Sequence, residues 1–159
     1  MGKLINFLEL IVKNLFLIIL TFSIFLLPPF TKFVISSQEK QKISLSIKGY
    51  KLAVEVADTD IKRVTGLMYR KELAWDEGML FIFKKPRIVG FCMKNTTIPL
   101  SIAFINEFGI ITEISDLKQK SMAIKKSKMK VRYALEINQG WFKKNGIKVG
   151  DIVKGLKVD

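Results

Sequence analysis

The sequence predicts a mainly β domain of the α+β class, a compact barrel- or sandwich-like β-meander with one short helix, preceded by an N-terminal hydrophobic helix. Two observations predict it. Short apolar runs recur along residues 43–153 with turn residues between them, and residues 15–27 form an uncharged apolar segment close to the N-terminus. At 159 residues the chain has room for one domain and an appendage.

The apolar N-terminal segment has the layout of a signal sequence. Two lysines precede the run, two prolines follow it, and Val34 with Ser36 offers a cleavage site. The uncharged stretch of residues 14–31 also approaches the span of about 18 residues that crosses a membrane, so cleavage and anchoring both stay open. We therefore expect a signal peptide or signal anchor over residues 1–36, a linker over residues 37–42, and an exported domain over residues 43–159.

The first elements of the domain follow from alternation and turn residues. Residues 43–47 and 52–56 alternate on either side of Lys48-Gly49, which predicts a β-hairpin. Residues 58–60 offer N-caps to a short helix. The apolar side chains that we expect on one face of this main helix are Ile61, Val64, Leu67 and Met68.

The remaining elements are strands and one helical turn. Residues 79–83 and 88–93 predict two strands joined by a turn at residues 84–86. Residues 106–109, which end in a glycine, join the next two apolar runs in a second hairpin. These and the later elements are strands at residues 100–105, 110–114, 133–137 and 151–153, a basic stretch of uncertain conformation at 117–130, and one helical turn at 141–145.

Composition excludes several classes of site. Histidine is absent, which removes the usual general base at neutral pH and the commonest transition-metal ligand. A single cysteine, Cys92, forms no intramolecular disulfide and no thiolate cluster, and its apolar neighbours indicate a buried side chain. The sequence therefore predicts no metal and no cofactor.

Four segments, read in order, resemble the DUF192 family, whose function is undetermined. They are VEVADTDIKRVTGLMYRKEL, GMLFIF, GFCMKNTTIPLSIAFINEFGIITEI and YALEINQGWFKKNGIKVGDIV, and they span most of residues 43–155. The resemblance implies a small bacterial or archaeal domain with a mainly β fold, often behind a signal sequence. The chain departs from the usual family pattern at Cys92, where tryptophan is common, and at Ser101 and Asn106, where aspartates are usual. If those acids contribute to a shared site, this chain lacks part of it.

Two groups of residues are candidate ligand sites. Lys94, Asn95 and Thr96 present an ammonium, an amide and a hydroxyl, which suit a small polar or anionic ligand. The alternative is a turn whose side chains bond the local backbone. Arg63 and Arg70 are about two turns apart on a helix and would lie on nearly one face, suited to a carboxylate or phosphate. The alternative is pairing with nearby acids.

The third group is a run of cations. The chain carries a formal charge of +13, which favours polyanionic partners, although a solvated lysine-rich surface explains it equally well. The densest run, with apolar residues interspersed, contains Lys118, Lys120, Lys125, Lys126, Lys128, Lys130 and Arg132. It is a candidate contact for an anionic membrane surface.

These observations support three functional hypotheses, and none of them fixes an oligomeric state. The first is a non-enzymatic binding or accessory domain of the cell envelope, periplasmic or membrane-anchored. The second is a hydrolase or transferase that uses Lys94 with carboxylates from Asp58, Glu113 and Glu136. The third is a nucleic-acid-binding protein, which export disfavours because an exported domain meets little nucleic acid.

Overall fold

Nine strands and two short helices make up the part of the chain that the structure, a computed structural model, describes, residues 42–156. The expected leader and most of the linker lie outside these residues. In chain order the elements are β1 (Lys42–Ile47), β2 (Tyr50–Ala57), α1 (Asp60–Thr65), β3 (Glu77–Arg87), β4 (Gly90–Phe91), β5 (Leu100–Ile105), β6 (Ile111–Leu117), β7 (Lys125–Lys126), β8 (Val131–Asn138), α2 (Trp141–Lys144) and β9 (Val153–Lys154).

Seven of the strands form one sheet in the order β6-β5-β8-β3-β2-β1-β9, while β4 and β7 pair separately. The large sheet curls into a half-barrel, and the predicted mainly β class is confirmed. The two helices within residues 42–156 have six and four residues, so neither could span a membrane.

Both predicted hairpins are present. β1 and β2 are antiparallel, and Lys48 and Gly49 between them both have positive φ, at 52° and 88°. Two left-handed residues in succession give the turn whose twist matches that of the flanking strands. β5 and β6 are also antiparallel, and Gly109 in their connection has φ 79°.

The step from β2 to β3 is different, because these two strands are parallel. A parallel pair needs a crossover of a dozen or more residues, and the segment that contains α1 supplies it. Thr59 caps the helix as predicted, accepting a bond from the Lys62 N–H at 3.3 Å. The predicted buried face is wrong for Ile61 and Val64, which are 81% and 74% exposed. The helix ends at Thr65 and has only six residues, so it is too short to bury a continuous apolar face against the sheet.

Two further local predictions are corrected. Residues 84–86 do not form a turn, since β3 continues through them to Arg87. The register of β3 against β8 is irregular between Ile82 and Arg87, so Pro86 lies where no regular ladder bond is required of it. Cys92 is half-buried rather than buried.

Side-chain alternation along the strands gives the sheet two buried faces. On one, Tyr133, Leu135 and Ile137 of β8 pack with Trp141 and Phe142 of α2. On the other, the core is built from strand residues and from two covering segments, residues 67–73 and 89–98. We call this second face the Glu136 face, because Glu136 lies on the same side of β8 as Ala134.

Candidate functional site

One row of side chains crosses the Glu136 face from strand to strand. Glu55 of β2 is opposite Met79 of β3, Met79 is opposite Glu136 of β8, and Glu136 is opposite Ile102 of β5. Neighbouring strands are about 4.8 Å apart, so the α-carbons of Glu55 and Glu136 are separated by about 10 Å. Two acids therefore share one row in the middle of the sheet, with a thioether between them.

The Glu136 carboxyl is buried without a counter-charge. The residue is 5% exposed, and no hydrogen bond or ion pair joins its side chain to another residue within 42–156. Burial raises the pKa of Glu136 to about 8, because the ionised form has lost most of its water and gained no partner. At neutral pH this side chain is a neutral carboxylic acid, able to donate as well as accept a hydrogen bond.

Glu55 has a different environment at the other end of the row. Nη2 of Arg70 donates to both carboxylate oxygens of Glu55 at 2.7 Å. The Glu55 side chain is 10% exposed and that of Arg70 is 26% exposed. A charge-assisted contact in such a sheltered place is stronger than a surface ion pair. The row thus holds a neutralised ion pair and a separate neutral acid.

The two segments that cover this face are joined to each other by Tyr69 and Asn95. The Tyr69 N–H donates to the Asn95 carbonyl at 2.9 Å, and the Asn95 amide donates to the Tyr69 hydroxyl at 2.7 Å. Thr97 adds a bond from its hydroxyl to the Arg70 carbonyl at 3.3 Å. We call the Tyr69 and Asn95 contact the clasp. The clasp places Arg70 close to the segment that contains Asn95, although the sequence analysis treats Arg70 and Asn95 as members of separate groups.

The chain matches the DUF192 family model, described as "Uncharacterized ACR", over residues 43–155. The chain belongs to the DUF192 family. A crystal structure of a "putative transcription regulator" from Sinorhizobium meliloti 1021 is 38% identical, with a TM-score of 0.71, covering 73% of this chain and 95% of that one. A protein of unknown function from Novosphingobium aromaticivorans DSM 12444 is 30% identical, with a TM-score of 0.71 and coverage of 75% and 89%. No curated protein matches.

In this DUF192 domain the predicted Lys94, Asn95 and Thr96 do not converge on a common point. Asn95 is engaged in the clasp, and the buried Thr96 hydroxyl donates to the Lys94 carbonyl at 3.1 Å. The Lys94 side chain is exposed. The geometry therefore matches the turn alternative, in which the side chains bond local groups.

Arg63 and Arg70 do not share a helix face, contrary to expectation. Arg63 lies in α1, and Arg70 lies beyond the helix end at Thr65. Nη1 of Arg63 donates to the carbonyls of Asp58 at 2.6 Å and Ile82 at 2.9 Å. This guanidinium holds α1 against β3, whereas that of Arg70 reaches the Glu136 face.

The three acids of the hydrolase hypothesis lie on three different segments of the chain, and each of Asp58 and Glu113 is paired with a lysine. Asp58 follows β2 at the surface and pairs with Lys62 at 3.1 Å. Glu113 lies on β6 and pairs with Lys125 at 2.7 Å. Burial raises the pKa of Glu113, but bonds from Lys125 and Lys128 outweigh it and leave this pKa lowered. No group of three or more acids, cysteines or histidines within residues 42–156 could hold a metal ion.

Two departures from the family pattern have structural roles. The Ser101 hydroxyl donates to Asp116 Oδ1 at 2.5 Å. Asn106 Oδ1 accepts from the N–H groups of Phe108 at 3.0 Å and Ile110 at 2.9 Å, closing the β5–β6 turn. Asn106 is five positions beyond Ser101 along nearly extended chain, which is about 17 Å. The two positions therefore do not form one site.

The run of cations between residues 118 and 132, which we call the basic segment, is mostly exposed. Lys125 pairs with Glu113, and Arg132 is half-buried. The other five lysines are exposed: Lys118, Lys120, Lys126, Lys128 and Lys130. Met122, Ile124 and Met129 stand between them with exposures of 65%, 63% and 52%. This surface combines positive charge with accessible apolar side chains.

The sequence indicated some of these residues and missed others. The sequence interpretation treats Glu136 as one of three scattered acids, and the signal that marks it is an acid inside the apolar run YALEI. No sequence pattern indicates a role for Glu55 or Tyr69. The position of Glu55 opposite Met79 follows from the parallel pairing of β2 and β3, and the sequence carries no local trace of that pairing.

Proposed function

We propose that this DUF192 protein is a non-enzymatic binding or accessory domain of the cell envelope that docks on an anionic membrane surface through the basic segment. The carrying observation is the combination of five exposed lysines with three exposed apolar side chains in one short stretch. The predicted leader over residues 1–36 would deliver the domain to that surface, either as a signal peptide or as an anchor.

Charge and apolar exposure contribute by different mechanisms. Each lysine held near an acidic membrane is worth about 1 kcal/mol, which is about a fivefold change in partition. Exposed methionine and isoleucine side chains reach the boundary between head groups and acyl chains, where their burial adds to the electrostatic attraction. A solvated basic loop would need no such apolar side chains among its lysines.

The β4–β7 pair supports the basic segment from below. Gly90 pairs with Lys126 and Phe91 pairs with Lys125. Val89 donates its N–H to the Ser127 hydroxyl at 3.1 Å, and Ser127 is itself buried. These bonds fix the middle of the segment to the domain, so Ile124 and Lys126 are presented on a defined surface rather than on a free loop.

The test is vesicle partition of the full chain. Binding to vesicles of phosphatidylglycerol mixed with phosphatidylcholine is divided by binding to pure phosphatidylcholine, which cancels any insertion of the leader. We expect a ratio well above unity that falls as salt is added. Replacing the five exposed lysines of the basic segment by glutamine should lower the ratio by about fivefold per lysine at physiological salt.

A matched variant provides the control. It carries the same change of charge at exposed lysines elsewhere on the domain, namely Lys48, Lys51, Lys143, Lys148 and Lys154. Charges more than about 8 Å from the membrane are screened at physiological salt, so this variant should retain most of the ratio. Equal losses in the two variants would refute docking through the basic segment and leave only a net-charge effect.

Placement in the envelope is tested separately. Fractionation of cells should recover the protein with membranes or in the exported fraction, and the mass of its mature N-terminus distinguishes cleavage near Ser36 from an intact anchor. Recovery of the whole chain in the cytoplasm would contradict the envelope proposal.

Nucleic-acid binding is the second candidate, because the same basic segment suits a phosphate backbone. The Sinorhizobium relative is described as a "putative transcription regulator". Binding to duplex DNA would show a steep, linear fall of log affinity with log salt. If the five-lysine variant loses DNA binding with that slope while vesicle partition is unchanged, this candidate replaces the membrane proposal.

A further inference from the structure

Glu136 is the most buried acid of the Glu136 face. Within residues 42–156, no cation and no hydrogen-bond donor pairs with its carboxyl group. At 5% exposure it has no hydrogen-bond or ion-pair partner in this part of the chain. The other two buried acids both have cations: Glu55 has Arg70, and Glu113 has Lys125. A buried polar group left unpaired costs free energy. The position therefore lacks the partner that the other acids have.

We propose that Glu136 anchors a binding site for a small organic cation, a primary ammonium on an alkyl chain, on the Glu136 face between β8 and β2. The ammonium would supply the missing partner through charge-assisted hydrogen bonds. This site is separate from the basic segment, and the inference does not depend on membrane docking.

The surroundings select a cation with an apolar tail. Met79 lies directly between Glu136 and Glu55 in the row. One step along the face, the rings of Phe81 and Phe104 flank Phe91, with centroids 4.8 Å and 5.9 Å from its own. Thioether and aromatic groups favour alkyl contact, and aromatic rings also attract ammonium groups.

Charge balance on the face argues against an anion. Glu55 and Arg70 neutralise each other at 2.7 Å, so the pair offers no net attraction to either sign. An anionic ligand beside Glu136 would keep that acid protonated, and the ligand would receive only the one hydrogen bond that the acid O–H can donate. A cation gains a full counter-charge, because Glu136 can ionise to meet it.

Binding transfers a proton to the solvent. The free side chain near neutral pH is a carboxylic acid, since burial raises the pKa of Glu136 to about 8. The incoming R–NH₃⁺ pairs with the carboxylate, so the acid O–H bond breaks and its proton goes to the buffer. Charge is conserved, because one cation enters as one proton leaves.

Ligand entry requires a movement of the two covering segments. The segments that carry Leu67 and Phe91 must separate, since both side chains pack over this face.

The experiment is calorimetric titration of the full chain with butylammonium chloride near neutral pH, in two buffers of different ionisation enthalpy. We expect saturable binding with release of about one proton per bound cation. Glu136→Gln, which mimics the neutral acid in shape, should fold, release no proton and bind about tenfold more weakly or worse. Glu113→Gln removes an acid that already has a cation, so it should leave affinity and proton release unchanged.

A methyl NMR measurement locates the ligand. Butylammonium should shift the Met79 methyl resonance and leave those of the exposed Met122 and Met129 in place. Butyrate, which has the same chain and the opposite charge, should shift none of them. Failure of butylammonium to saturate, or equal proton release from the wild type and Glu136→Gln, overturns the proposal.

Discussion

Tyr69 and Asn95 hold each other in backbone conformations that residues with side chains seldom adopt. Their φ angles are 62° and 54°, and they exchange a backbone bond of 2.9 Å and a side-chain bond of 2.7 Å. Asparagine tolerates the left-handed region better than most residues, whereas tyrosine does not. Two strained residues persist only where surrounding bonds determine them. The clasp therefore links the two segments that cover the Glu136 face, and its hydrogen bonds offset the backbone strain at both residues.

Replacing Asn95 separates the backbone and side-chain parts of the clasp. Asn95→Ala loses the bond to the Tyr69 hydroxyl and keeps a Cβ in the left-handed region, so we expect a loss of about 2 kcal/mol in the free energy of unfolding. Asn95→Gly loses the same bond but relaxes the backbone, so its loss should be about 1 kcal/mol. Urea unfolding measures both, and an equal loss in the two variants would show that backbone strain at Asn95 contributes nothing.

Gly78 allows β3 to approach β8 directly beside Glu136. A Cβ on Gly78 would lie 2.4 Å from the Glu136 carbonyl oxygen, and that backbone atom cannot move without breaking the ladder. We expect Gly78→Ala to destabilise the domain by about 3 kcal/mol and to disturb the row that contains Glu136. Thermal and urea unfolding measure the loss, and the chemical shift of the Glu136 carboxyl measures the disturbance.

Gly90 provides the matched control for this substitution. A Cβ there would lie 2.7 Å from Ile124 Cγ2, but Ile124 is 63% exposed and its side chain can rotate away. Gly90→Ala should therefore cost about 1 kcal/mol or less. A larger loss at Gly90 than at Gly78 would contradict the argument from the backbone contact.

Much of the fold could be predicted from the sequence because the deciding interactions are local. Lys48-Gly49 and Gly109 supply the positive φ angles of the two hairpins, and Thr59 caps α1 with its own side chain. The parallel pairing of β2 with β3 could not be predicted in this way. It depends on which strand edges meet across the connection of residues 58–76, which is a contact between segments distant in sequence.

The candidate site was predicted less well, for a related reason. An acid in an apolar strand is visible in the sequence, but whether Glu136 has a counter-ion depends on side chains from distant segments. Arg70 illustrates the point, since it pairs with Glu55 rather than with an acid near it in sequence. The clasp joins residues 26 positions apart, and the residues next to Tyr69 and Asn95 in the sequence do not predict this contact.

The substitution Ser101→Asp tests one of the positions where this chain departs from the pattern that the family resemblance implies. Ser101 is opposite Asp116 on β6 and donates to it at 2.5 Å, so Ser101→Asp places two carboxylates face to face. We expect a loss of about 2 kcal/mol in unfolding free energy near neutral pH. The double variant Ser101→Asp with Asp116→Asn should recover most of it, because an amide can donate to the new carboxylate. Failure of the second change to rescue the first would show that crowding, not charge, is responsible.

The pH dependence of stability follows from the sign of the Glu136 shift. Its pKa rises from 4.5 in the unfolded chain to about 8 in the fold. Between these values the folded protein binds more protons than the unfolded chain, so stability falls as pH rises. Below about pH 4.5 the contribution of this group is complete, and above about pH 8 it is lost. Within the window the slope reaches up to about 1.4 kcal/mol per pH unit, which urea unfolding across the window measures.

Two variants separate Glu136 from the other acids. Glu136→Gln carries no ionisable proton, so its stability should change little between about pH 5 and about pH 8, and it should exceed that of the wild type at the alkaline end. Glu113 has the opposite sign, because its pKa is lowered in the fold, so its stabilisation is present above its unfolded pKa of 4.5 and is lost in acid. Glu113→Gln should therefore remove part of the acid loss and leave the alkaline fall intact. An unchanged alkaline fall in Glu136→Gln would assign that fall to another group and show that Glu136 is ionised in the folded domain.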